Sequence, residues 1–266
     1  MLGAYIGDIV GSVYESRRRQ IKTKEFPLFS PYGHPTDDSV MTCAVARVFK
    51  EWAENTQDRS NKSGLAQKLV ESLQEMGHKY PKAGYGGRFC RWLYDRETEP
   101  YNSFGNGSAM RCSAAGWFAE SLEEAMELGR ISAAVTHDHP EGIKGAEVTA
   151  GCIFLARQKA TKEAIRQFAS QYYDLNFTLD ALRPTYHFDV TCQGTVPPAI
   201  QAFLEATDFE DAIRNAVSLG GDADTLAAIT GSIAEPFFGI PEAIRKEALA
   251  RLDDTLKSVL FPEQLA

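Results

Sequence analysis

The chain has 266 residues, with 28 Lys and Arg against 36 Asp and Glu, for a net charge of −8. That length is ample for a sizeable core, and 44% hydrophobic with 24% charged residues is an ordinary globular composition. The acidic balance argues against general binding to nucleic acid or to an anionic membrane surface. The apolar N-terminal stretch contains Asp8 and lacks a leading basic region, so it does not read as a signal peptide. No run reaches the ~18 apolar residues of a spanning helix. The five cysteines (Cys43, Cys90, Cys112, Cys152 and Cys192) include no CxxC pair. Neither a zinc knuckle nor a disulfide framework is expected, and a reduced, cytoplasmic setting is.

Gly3, Gly7 and Gly11 recur every four residues on one face of a predicted first helix, and Glu15 continues that face a turn later. Each helical glycine costs about 1 kcal/mol relative to alanine, so three together imply close backbone packing. Glycines do not explain a carboxylate at the end of that face, which makes Glu15 a site candidate. Residues 16–35 form a long connection and a candidate lid. Within it the run Arg17-Arg18-Arg19 reads as a solvated face able to steer a diphosphate. A helix follows over Ser39 to Glu54, with Met41, Val45, Val48 and Trp52 on one stripe. The polar stretch from Asn55 to Gly64 reads as a loop.

Further helices are predicted over 65–76, 109–119, 143–158 and 162–173. Leu122 to Val135 makes another, opened by Ser121 with Glu124 as a capping box. Tyr186 to Thr191 alternates like a strand, but one strand makes no sheet. A helix over 197–206 precedes one over Ala212 to Leu219, introduced by Thr207 with Glu210 and stopped by Gly220-Gly221. The last two cover 225–235 and 241–258. With no linker and no repeat, the sequence reads as one all-α domain over 1–266.

Two segments share a chemical plan: Thr36-Asp37-Asp38 stands before one helix, and Gly220-Gly221-Asp222-Ala223-Asp224-Thr225 before another. Helix capping needs one such side chain, whereas each segment offers two carboxylates and a hydroxyl. All are hard oxygen donors, which favour Mg²⁺, Mn²⁺ or Ca²⁺ over Zn²⁺. Were Glu15, Asp37, Asp38, Asp222 and Asp224 to converge, their −5 would fall to −3 with one divalent ion and to −1 with two. Two metals relieve the repulsion and suit hydrolysis. Gly105-Asn106-Gly107-Ser108 offers small residues and backbone N–H groups to an anion, and Tyr85-Gly86-Gly87 is a weaker loop of that kind. In Thr136-His137-Asp138-His139-Pro140 the histidines are either solvated or in contact with a ribose or phosphate.

Taken in order, Gly3-Ala4-Tyr5-Ile6-Gly7-Asp8 with Glu15, Thr36-Asp37-Asp38-Ser39, Gly105 to Arg111, Thr136-His137 and Gly220 to Thr225 resemble the ADP-ribosylglycohydrolase family. The resemblance implies a compact orthogonal multi-helix bundle. It also implies two Mg²⁺ ions per chain (Mn²⁺ in some members) and hydrolysis of the bond between ADP-ribose C1″ and an acceptor. Thr36, Asp37, Asp38, Asp222, Asp224 and Thr225 would hold metal, and Glu15, Asp37, Asp38 and Asp222 would take part in catalysis. Tyr85, Gly86, Gly87, Phe104, Gly105, Asn106, Gly107, Ser108 and His137 would contact substrate. The partner implied is an ADP-ribosylated protein or a small ADP-ribosyl conjugate, with the acceptor left open. Segment 174–195 fits no family motif and is a candidate for shaping acceptor choice. Two other readings compete. One is a non-catalytic ADP-ribose binder. The other is a metal phosphohydrolase built on the His137-Asp138 dyad with His78 and Asp189.

Overall fold

Helix α1 (Leu2–Gly11) is buried along its whole length, and its glycine face determines what lies against it. A side-chain carbon at Gly3 would meet the Gly231 carbonyl at 2.2 Å. At Gly7 it would meet the Ala227 carbonyl at 2.0 Å, and at Gly11 the Asp224 Cα at 2.4 Å. The partners step backwards by three or four as the glycines step forward, so α1 runs antiparallel against a later helix, backbone on backbone. That is the close crossing the glycine spacing predicts.

The computed structural model describes residues 1–16, 18–55, 59–94 and 99–265, and sixteen helices lie among them. After α1 come α2 (Asp37–Asn55), α3 (Leu65–Lys79), α4 (Gly87–Tyr94), α5 (Gly107–Met110) and α6 (Ser113–Phe118). Next are α7 (Leu122–Ala134), α8 (Pro140–Arg157), α9 (Lys162–Ala169), α10 (Leu179–Leu182) and α11 (Cys192–Glu205). The chain finishes with α12 (Phe209–Val217), α13 (Ala223–Phe238), α14 (Glu242–Leu249), α15 (Asp254–Lys257) and α16 (Pro262–Leu265). The fold is all-α: among the described residues the β content is one isolated bridge, Gly105 with Thr191. Helix α13 is the central post, packed by α1, α8, α11 and α12. One continuous cluster of buried side chains runs from α1 to the C-terminal helices.

Several boundaries differ from the sequence reading for local reasons. The first helix stops at Gly11, so Glu15 lies beyond its end, exposed, and not on the helical face. The predicted 109–119 helix is two pieces, broken at Arg111-Cys112. The predicted 241–258 helix is also two, because Asp253 accepts from Leu256 N–H and starts α15 afresh. Ser121 caps α7 as expected, but α12 is capped by Asp208 accepting from Asp211 N–H, one residue after Thr207. Helix α11 begins at Cys192 and carries Pro197 and Pro198 inside it. Proline supplies no N–H to the carbonyl four residues back, and the Gly194 carbonyl accepts from the Tyr186 hydroxyl at 3.0 Å instead.

Residues 18–35 are fastened to the body. Lys22 donates to the Tyr186 and Leu219 carbonyls, Lys24 pairs with Asp211, and Arg214 donates to the Lys24 and Phe26 carbonyls. Arg17, the first of the arginine run, and residues 56–58 of the predicted 55–64 loop lie outside the described residues.

The α1–α13 contact leaves no room for a methyl group at Gly7, whereas nothing lies within 4 Å of one at Gly86. Gly7→Ala is therefore expected to lower unfolding stability by about 2 kcal/mol or more. Gly86→Ala should leave it within about 0.5 kcal/mol. Parallel urea or thermal melts of the two variants check this.

Candidate active site

Because α1 meets α13 so closely, the C-terminal end of α1 delivers the chain to the N-terminus of α13, where Asp222 is the cap residue and Asp224 and Thr225 form the first turn. Helix α2 brings its own N-terminus, with Asp37 and Asp38, to the same place. Asp8, in mid-α1, fastens it there. Its carboxylate is fully buried and accepts from Thr36 N–H (2.8 Å), Thr36 Oγ1 (2.6 Å), Ser39 N–H (3.0 Å) and Ser39 Oγ. Asp8 thus caps α2 from another helix. Sequence reasoning missed this residue, although a charged side chain inside an apolar helix was the available signal.

The structure brings Glu15, Asp37, Asp38, Asp222 and Asp224 to one wall of a cleft of about 350 Å³, within the range of small-ligand sites. Carboxylate oxygens of Asp8, Asp38 and Asp224 lie within 4.8 Å of one another, and so do those of Glu15, Asp222 and Asp224. Thr225 Oγ1 donates to Asp38 Oδ2 at 3.3 Å, and Asn106 Nδ2 donates to Asp222 Oδ2 at 2.7 Å. Asp38 Oδ1 is buried and has no hydrogen-bond partner. Among the described residues no Lys or Arg forms an ion pair with any of the six carboxylates.

Buried acids without cations hold their protons. Burial, then the charges of Asp8 and Asp222, push Asp37 up to about 8. Burial first, and neighbouring carboxylates second, raise Asp38 and Asp224 well above the usual range and raise Glu15. Burial also raises Asp222 and Asp8, opposed by the hydrogen bond from Asn106 and by those from Ser39 and Thr36 respectively. Hard oxygen donors crowded together, one buried oxygen unpartnered and no counter-cation, fit a divalent metal ion. The groups able to hold one are Asp38, Asp222, Asp224 and Glu15, with Asp37 beside them. Asp8 also lies within reach of Asp38 and Asp224, but its Oδ1 already accepts from the Thr36 hydroxyl and its Oδ2 from Ser39 and from Thr36 N–H.

The rest of the cleft lining includes Gly84, Gly86, Gly87, Arg88, Tyr101, Ser103, the Gly105-Asn106-Gly107 turn and His137. Three residues expected to touch substrate do not line it. Tyr85 packs its ring on Phe89 with centroids 5.7 Å apart. Phe104 points out, 42% exposed, against His139. Ser108 is fully buried and spends its hydroxyl on the Gly142 carbonyl at 2.7 Å. The helix after the glycine turn is a single turn long, so its dipole adds little. Phe188 and Val190 also line the cleft; they come from the segment that fits no family motif and reads at first as a strand. His137 is buried in the wall and His139 caps α8, accepting from Glu141 N–H. The His78, Asp138 and Asp189 set is not gathered. His78 lies against Tyr94, Asp138 accepts from Asn102 N–H and Asp189 from Thr191 N–H.

Comparison with known proteins agrees with this geometry. The chain belongs to the ADP-ribosylglycohydrolase family, whose model matches residues 1–265, and it is a hydrolase of that class. It is 24% identical to the ADP-ribosylhydrolase ARH3 of Homo sapiens, over 91% of this chain and 85% of that one. It is 27% identical to the ADP-ribosyl-[dinitrogen reductase] glycohydrolase of Rhodospirillum rubrum (95% and 88% covered). Identity is 28% to the ADP-ribosylarginine hydrolase Tri1 of Pseudomonas putida (98% and 76% covered). A solved ADP-ribosylglycohydrolase-related protein complex shares the fold, with a TM-score of 0.68 and 23% identity over 97% of this chain and 93% of that one.

Two measurements test the site. A carboxyl raised in the folded state binds its proton more tightly there than in the unfolded chain, so its stabilising effect is lost as pH rises through the folded value. Without divalent cations, stability is expected to fall as pH rises from about 4, where an unfolded aspartate titrates, towards about 8, where Asp37 does, by at most ~1.4 kcal/mol per pH unit for each proton, and to level off above that. Adding Mg²⁺ should flatten that dependence in a thermal-shift series. Separately, Asp8→Asn places an amide against four donors and should cost about 3 kcal/mol. Asp8→Glu tests whether the carboxylate alone suffices.

Proposed function

We propose that this protein hydrolyses the bond between C1″ of ADP-ribose and an acceptor, releasing ADP-ribose, with two divalent cations, Mg²⁺ or Mn²⁺, in the acidic wall. The single observation behind this is that Glu15, Asp37, Asp38, Asp222 and Asp224 line one cleft together with a glycine turn and a histidine, with Glu15, Asp222 and Asp224 close enough to share an ion. Asp38, Asp222, Asp224 and Glu15 would hold the ions, with Asp37, Thr225 and Thr36 around them. Bound there, a divalent cation supplies positive charge that offsets the carboxylates and lowers the pKa of water.

The remaining chemistry belongs to the chain. Cleavage of a ribosyl bond builds positive charge at C1″, which a carboxylate wall stabilises. Glu15 is the exposed member of that wall, and its raised pKa suits a group that takes a proton from attacking water. Asn106 ties the glycine turn to Asp222, so the surface for the diphosphate and the acidic wall keep a fixed spacing. The Gly105–Gly107 turn and Gly86-Gly87 allow close approach of the diphosphate and ribose. Phe188 and Val190 form an apolar part of the wall suited to sorting acceptors. The substrate would be an ADP-ribosylated protein or a small ADP-ribosyl conjugate; the relatives' names include arginine-linked and protein-linked ADP-ribose. The whole chain, 1–266, is read as one domain around the buried cluster that its described residues form. Five free cysteines fit a reducing, cytoplasmic setting.

The test is release of free ADP-ribose from arginine-, serine- and acetyl-linked substrates, with Mg²⁺ and with EDTA. Mg²⁺-dependent release from one linkage is expected, reduced about 100-fold or more by Asp222→Asn or Asp38→Asn. Tight ADP-ribose binding with no release from any linkage would instead make the protein a binder.

A further inference from the structure

His137 sits in the cleft wall with only 5% of its surface exposed. Its Nδ1 lies 2.7 Å from Thr136 Oγ1, and the same oxygen receives a 2.7 Å hydrogen bond from the Arg111 guanidinium. A guanidinium only donates and keeps its protons in proteins. Thr136 therefore accepts from Arg111, and its one hydroxyl proton needs another acceptor. Thr136 is fully buried, and among the described residues the group within reach is His137 Nδ1. A proton on Nδ1 would strand the Thr136 hydroxyl proton in the interior.

A neutral ring must then carry its proton on Nε2. That nitrogen faces the glycine turn: a side-chain carbon at Gly107 would lie 3.2 Å from it, and one at Gly105 3.5 Å. Among the described residues no protein group accepts from it. Double protonation is opposed by burial first and then by the charges of Arg111 and Arg88, which hold the imidazole well below its usual pKa. The other group packed against the ring is Tyr101, with centroids 5.8 Å apart. Arg111 itself is fully buried, and its second hydrogen bond goes to the Ser132 carbonyl at 2.8 Å. No carboxylate among the described residues pairs with it; besides the Ser132 carbonyl and the Phe89 ring, 5.8 Å from its guanidinium, it holds the Thr136 hydroxyl.

We propose that Arg111 and Thr136 are positioning residues that lock His137 as a neutral, Nε2-protonated imidazole, an obligate hydrogen-bond donor to an oxygen of the ADP-ribose unit at the Gly105–Gly107 turn. The ligand half of this rests on the ADP-ribose reading of the cleft; the tautomer does not. A donor fixed in this way accepts phosphate, ring or hydroxyl oxygens and leaves a ligand amine at the same point unmatched. It also gives the glycines a reason, since a side chain at 107 would cover Nε2.

The test uses the full chain labelled with ¹⁵N-histidine, with His137 assigned by the signal lost in His137→Asn. The wild type should show Nδ1 unprotonated and Nε2 protonated. Thr136→Val should lose that single tautomer and bind ADP-ribose about 3- to 10-fold more weakly. KM for an ADP-ribosylated substrate should rise similarly, with kcat within about twofold. Thr136→Ser should restore both spectrum and affinity. A wild-type ring protonated on Nδ1, or on both nitrogens, overturns the lock. So does Thr136→Val keeping the Nε2–H tautomer and full affinity. If Thr136→Val does not fold, the wild-type and Thr136→Ser spectra decide. An Nε2–H spectrum in a protein that fails to bind ADP-ribose overturns the ligand assignment and leaves the lock standing.

Discussion

Everything in the site hangs on the contact between two helix backbones. Gly3, Gly7 and Gly11 let α1 lie against Gly231, Ala227 and Ala223–Asp224 of α13 at a distance no side chain permits. The register of that crossing decides which residue of α13 meets the end of α1, and so sets Asp224 opposite Gly11 and brings the chain round to Glu15. It also aims Asp8 from the middle of α1 at the start of α2. One crossing therefore orients three segments that lie 30 to 200 residues apart in sequence, which a rigid, fully buried contact can do and a loop cannot.

The carboxylate wall is an electrostatic liability that the surrounding fold contains without cations. Two helix N-termini point at it, and their dipoles favour negative charge. Neutral donors occupy part of it: Thr225 on Asp38, Asn106 on Asp222, and Thr36 with Ser39 on Asp8. These contacts align the oxygens but leave the acids buried beside one another, and burial first, with neighbouring carboxylates second, raises them together. A buried ammonium or guanidinium would quiet the repulsion and also block the site. Arg111, buried and lining the same cleft, gives its hydrogen bonds to Thr136 and Ser132 and pairs with none of these carboxylates. Among the described residues the acidic cluster is thus left without a counter-cation from the protein, and the rest of the cleft lining includes a glycine turn, Arg88 and an imidazole.

The two sides are coupled through few atoms. Asn106 belongs to the glycine turn yet spends its amide on Asp222 and Thr195, which ties that turn to the acidic wall. The segment that delivers Phe188 and Val190 is pinned by the Tyr186 hydroxyl on Gly194, in the gap that Pro198 opens in α11. An irregularity in one helix thereby fixes part of the cleft's apolar wall.

Much of this was legible from residue order. The glycine period announced a close helix crossing, and the doubled Thr/Asp pattern announced the two helix starts that form the acidic wall. Composition and helical period alone gave an all-α chain. Glu15 was found for a partly mistaken reason: it shares no helical face with the glycines, because α1 ends at Gly11, but the turn that follows brings it to the same wall. Ser108, Phe104 and Tyr85 follow the motif in sequence and leave it in space, since neighbouring residues of a tight turn point in different directions. Asp8 and the Arg111–Thr136–His137 chain stayed hidden, because each depends on partners 25 to 31 residues away. Local periodicity and chemistry determine which elements form and which groups are available. Which of those groups meet, and which are spent on one another, is decided only when α1 closes on α13, because burial and hydrogen-bond pairing are properties of the packed chain.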